Sequence, residues 1–180
     1  MHNHQNSQSR KPEGVQRYFS GITEYTFQTQ LGIPDTRLID YLSKLLTRFV
    51  RSEVVFKIRD LTGRPLTEVA EMLIEAEARM GDAKRDIHQH IGDFILFWSG
   101  VYPEAIKRMR GEDRKDHLIN YWAEGKNAYL VASRIQAEYD EEGADLMGQL
   151  STQFELCAYG LGEVRREWER RDDGTRLFVA

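Results

Sequence analysis

Met147, Leu150, Phe154, Cys157, Leu161, Val164 and Trp168 recur alternately three and four positions apart without interruption. Because about 3.6 residues complete a helical turn, this alternation puts all seven on one stripe. A stripe of that length must be covered by other helices, so it predicts a long packed helix within an all-α fold.

The same spacing returns upstream. Leu38, Leu42, Leu45 and Phe49 form a second seam, opened by Ile33-Pro34-Asp35, where proline near the first turn and aspartate as a cap favour a helix start. An earlier helix is expected over Tyr18 to Leu31, with Tyr18, Ile22 and Tyr25 inward and Gly32 as its stop. A third begins at Pro65 to Thr67 and buries Leu66, Val69, Leu73 and Met80, leaving Glu68, Glu71, Glu75 and Arg79 on a solvated face. Gly81-Asp82 breaks it, and Asp82 is expected to cap a fourth helix. That helix buries Ile87, Ile91, Phe94, Ile95 and Trp98, and Gly100 supplies a left-handed C-cap. The segment from Glu104 to Asp116 reads as a mixed-charge surface loop. A fifth helix follows from Arg114 to Tyr139 along Leu118, Trp122, Gly125, Tyr129, Ala132 and Ile135, and its small residues Gly125, Ala128 and Ala132 admit a close crossing.

The expected architecture is a single-domain antiparallel bundle of about six helices over residues 15–171. A disordered polar tail (1–14) precedes it and a C-terminal extension (172–180) follows. Residues 54–66 read as helix or irregular structure, with a short hairpin as the alternative.

Composition bounds the function. The formal net charge of −4 gives no global field for nucleic acid or anionic lipid, and no basic stripe offsets it. The longest apolar run, Phe94 to Trp98, falls far short of a membrane span. The single cysteine, Cys157, excludes an intramolecular disulfide and lies in the long seam as a small apolar residue. A cytoplasmic location is expected, with neither nucleic acid nor membrane as partner.

The chemistry concentrates in RDIHQHIGDFILFWSGVYPE, residues 85–104. On a helix Asp86, His90 and Asp93 share one stripe, whereas His88 points away. A carboxylate beside an imidazole can orient a general base, and the trio could offer ligands to a divalent metal, with Glu104 or Tyr121 as helpers. The competing reading is structural: Asp93 immediately precedes an apolar segment, and a buried carboxylate there needs Arg48, Arg59 or Lys126 as a partner. No Glu-x-x-His pair, His-Glu-x-x-His, phosphate loop, nucleophile elbow or dinucleotide fingerprint occurs, so no cofactor is expected. The favoured function is non-enzymatic protein–protein contact, with a homodimer expected from the amount of apolar helix surface. A metal- or small-molecule-binding site centred on Asp86, His90 and Asp93 is the alternative.

The strings HIGDFILFWSGVYPE, EGKNAYLVAS and FELCAYGLGEVRREW resemble a bacterial all-helical family of unknown function, over Tyr18 to Trp168. The resemblance implies a helical bundle and brings no activity, cofactor or catalytic residue.

Overall fold

The computed structural model describes residues 12–50, 57–135 and 139–171, with side chains from residue 14 onward. The expected polar tail to residue 11, most of VVFKI and the C-terminal extension lie outside the described residues. The fold is an all-α bundle with eight α-helices among the described residues: α1 (Pro12–Glu24), α2 (Thr36–Phe49), α3 (Val69–Glu77), α4 (Gly81–Val101), α5 (Pro103–Met109), α6 (Tyr121–Arg134), α7 (Glu141–Thr152) and α8 (Phe154–Arg171). None of them is long and apolar enough to cross a membrane. Helix α4 is the hub, packing against α2, α3, α6 and α8. Its segment from Ile91 to Phe97 is buried on every side.

The seams form as their spacing predicts. Asp35 caps α2 by accepting from the Leu38 N–H at 3.1 Å, and Leu38, Leu42, Leu45 and Phe49 are all buried. The expected close crossing on α6 is present: a Cβ at Gly125 would lie 2.6 Å from the Phe154 ring. The long C-terminal seam is buried throughout but belongs to two helices, interrupted at Gln153. At the end of α7 the Thr152 hydroxyl donates back to the carbonyls of Gly148 and Gln149.

Several boundaries depart from expectation. Helix α1 continues through a π-helical stretch, Tyr25–Gln30. Its buried face holds Phe19, Ile22 and Thr26, leaving Tyr25 exposed beneath the Arg171 guanidinium. Leu73 is only half-buried, because the inward stripe of α3 runs through Val69, Met72 and Ala76, and Met80 is 87% exposed because the helix ends at Glu77 before reaching it. Glu71 and Glu75, expected in solvent, are buried: Arg64 and Lys115 cover the first and Arg79 the second. Asp82 does not cap α4; the chain enters through Gly81 at φ +57°, with Met80 in the cap position and no side-chain cap bond. Gly100 is no C-cap either. It lies inside α4, where a Cβ would meet the Ala158 carbonyl and Leu161 at 2.8 Å, so glycine lets α8 cross closely. Beyond it, Pro103–Met109 is a helix and not a loop. Helix α6 starts late because Asn120 caps it, and Leu118 sits in a 3₁₀ turn, 88% exposed. Around residues 57–66 the chain makes a tight loop closed by one isolated antiparallel bridge, Arg59 to Pro65. Gly63 turns that loop at φ +85°.

Candidate functional site

Asp93 sits at the middle of α4, 2% exposed, where three helices meet. Its Oδ2 accepts from Arg48 Nη2 of α2 at 3.0 Å. Its Oδ1 accepts from the Tyr41 hydroxyl of α2 at 2.5 Å and from the Tyr129 hydroxyl of α6 at 2.7 Å. Tyr129 can reach it because Gly92 lacks a side chain; a Cβ there would lie 2.8 Å from the ring. Gln89 donates onward to the Tyr41 hydroxyl at 3.1 Å, and the Arg48 guanidinium lies 5.7 Å from the centre of the Tyr41 ring. The cluster therefore ties α2, α4 and α6 together through one carboxylate.

Its electrostatics follow from burial. Loss of water pushes the Asp93 carboxyl above the usual carboxylate range, while Arg48 and the two tyrosines pull it back. Burial, and then the Asp93 charge, hold both Tyr41 and Tyr129 well above the ordinary phenol range. These phenols act as donors at neutral pH.

A small cleft of about 80 Å³ opens over this cluster. Asp86, His90 and Asp93 all line it, so the stripe read from helical spacing is brought to one place. Arg48, Phe49, Lys57 and Gln89 complete the lining. Asp86 stands on the exposed rim, whereas His90 is buried with its ring stacked on Phe49 at 6.0 Å and 18°. Among the described residues no three His, Cys, Asp or Glu side chains converge in a way that could hold a metal ion. The proposed helpers are elsewhere: Glu104 pairs with Arg165, and Tyr121 donates to Asp116. Of the three basic partners considered for Asp93, Arg48 is the one used; Lys126 pairs with Glu155, and Arg59 bonds the Gly63 carbonyl.

His88 faces away, as the spacing requires. It is 4% exposed, and neither ring nitrogen has a hydrogen-bond partner among the described residues. Burial, with Lys84 nearby, lowers its pKa and keeps the ring neutral. Cys157 is also fully buried, its thiol pushed up to about 12 by loss of water, which leaves it inert.

Tyr41, Lys57 and Gln89 were not singled out by sequence patterns. The available signal for Tyr41 was its seven-residue spacing from Arg48, which places both on one face of α2 beside the Leu38 and Leu45 seam.

A second, larger groove of about 420 Å³ lies across the bundle, where the end of α4 meets α6 and α8. Trp122 and Tyr159 stand partly exposed in it, Gly100 and Gly162 line it, and Glu155 and Arg166 flank it. The buried Ser99 hydroxyl also borders the groove and has no hydrogen-bond partner among the described residues.

No family model, curated protein or solved structure matches the chain.

Proposed function

We propose that the protein acts through protein–protein contact and associates with itself as a homodimer. The observation that supports this reading is the larger groove. It exposes Trp122 and Tyr159 together on a surface flanked by charges of both signs. Tryptophan, tyrosine and arginine are the side chains that most often anchor interfaces, the two aromatics because they bury a large area at modest cost in side-chain freedom. Glu155 and Glu169 balance Arg165 and Arg166 along the same lining, so the patch repels neither sign and suits a copy of itself. Sedimentation equilibrium at micromolar concentration is expected to give twice the 21.0 kDa chain mass. A species that stays at 21.0 kDa over that range, with no partner bound, overturns the reading.

One observation favours a second reading, a site for a small polar ligand: Asp86, His90 and Asp93 share their cleft with Arg48 and Lys57. Acidic and basic groups from two helices and a loop converge there, and the volume suits a few heavy atoms. Titrating acetate, inorganic phosphate and glycine while following the His90 ring resonances tests it. A saturable shift, lost in Asp86→Ala or Lys57→Ala, is expected; unmoved resonances at millimolar ligand remove this reading for those ligands.

A further inference from the structure

Glu155, Tyr159, Gly162 and Arg166 succeed one another at spacings of four, three and four along the outer stripe of α8. The acid, ring and base are exposed and the glycine is half-buried. Read from the opposite end, acid, ring, glycine, base becomes base, glycine, ring, acid. An antiparallel copy of the stripe thus offers a base to each acid and a glycine to each ring.

We propose that two copies of the chain pair antiparallel along α8, about a twofold axis passing between Tyr159 and Gly162. Glu155 of each protomer then meets Arg166 of the other, and each Tyr159 ring lies over the other protomer's Gly162. This register rests on the self-association reading above and deepens it, because it names the surface and the contacts.

Three features support the pairing. The interface is isologous, so a single stripe must complement itself, and this one does at all four positions. Gly162 packs against α4, where a Cβ would lie 3.3 Å from the Gly100 carbonyl, so the half-buried surface over it stays low, and the adjoining groove of about 420 Å³ gives an incoming aromatic ring room beside Trp122. The charges are also free to change partners at little cost. Arg166 currently pairs with Glu163 three residues back, and Glu155 with Lys126 of α6, and Arg166 and Glu155 are themselves exposed. Such surface pairs contribute at most about 1 kcal/mol. Held across a contact that excludes water, the same charges set register and partner choice.

The test is a charge exchange on the full chain, read by sedimentation equilibrium with thermal melts as a folding control. Glu155→Arg and Arg166→Glu each place two like-charged pairs in the symmetric contact and are expected to weaken dimerisation by about tenfold or more. The double variant restores opposite charges in exchanged positions and should return to within about threefold of wild type. A double variant as weak as the single ones overturns the register. So does a wild-type dimer indifferent to all three variants, although self-association itself would then stand. A wild-type monomer overturns both.

Discussion

Asp93 and Asp116 are both buried carboxylates, 2% and 1% exposed, and each accepts a tyrosine hydroxyl at 2.5 Å. They differ in what supplies the remaining donors. Asp116 accepts from the Val69 N–H at 2.9 Å and the Ala70 N–H at 2.8 Å, so it caps α3 from 46 to 47 residues away. Its charge faces the positive end of that helix, and two of its three donors are backbone groups that the helix itself leaves unbonded. Among the described residues Asp93 accepts only from side chains, on two other helices, and one of those donors is a cation. It therefore acts as a joint between helices and also borders the cleft of about 80 Å³. The same residue type at the same depth caps a helix end in one place and gathers only side-chain donors in the other.

The largest effect expected from breaking this comparison is at the joint. Asp93→Ala should cost about 3–4 kcal/mol in urea unfolding, because it leaves the Tyr129 hydroxyl without its partner and uncouples Arg48. Partial exposure of the Arg48 side chain keeps the figure from rising further. Asp116→Ala should cost about 2 kcal/mol, the sum of a lost cap and an orphaned Tyr121 hydroxyl. The two should also differ in reach. Hydrogen exchange in the Asp116 variant should quicken mainly over Val69–Glu77, whereas the Asp93 variant should quicken α2, α4 and α6 together. Equal costs with the same exchange pattern would show that the two carboxylates do the same work.

How much of this was legible in the sequence divides along similar lines. Periodicity revealed α2, its Asp35 cap and the buried line from Met147 to Trp168, because those features depend on residues three to seven apart. It also placed Asp86, His90 and Asp93 on one stripe, and the cleft contains all three. Charge reasoning identified Arg48 among three candidate partners, but only packing could choose it. Gly100 shows where local reading fails: a glycine after an apolar run has the pattern of a C-cap, while the neighbour that requires it, Ala158, lies on α8. Asp116 shows the same limit from the other direction. It looks like one acid in a mixed-charge segment, since the backbone groups it caps are far away in sequence. Met80 and Leu118 were expected inside for being apolar near the right phase, but the helices they were assigned to begin or end before reaching them.

The smallest expected effect separates the two faces of α4. Burial raises the Asp93 pKa above its unfolded value, so its contribution to stability is complete below the unfolded value of 3.8 and is lost as pH rises through the folded one. Burial lowers the His88 pKa, so its contribution is complete above 6.5 and is lost as pH falls through the folded value. The two groups therefore oppose each other as solution is acidified. His88→Gln should reduce the loss of stability between about pH 7.5 and about pH 5, because no buried imidazole then has to take up a proton. Asp93→Asn, followed further down to about pH 4, should deepen the acid loss, because the carboxyl's compensating proton uptake on the way to its unfolded value is gone. Urea midpoints for the wild type and both variants at these pH values measure the difference. If His88→Gln leaves the acid loss unchanged, proton uptake by His88 is not its source, and the carboxylates elsewhere in the bundle carry it.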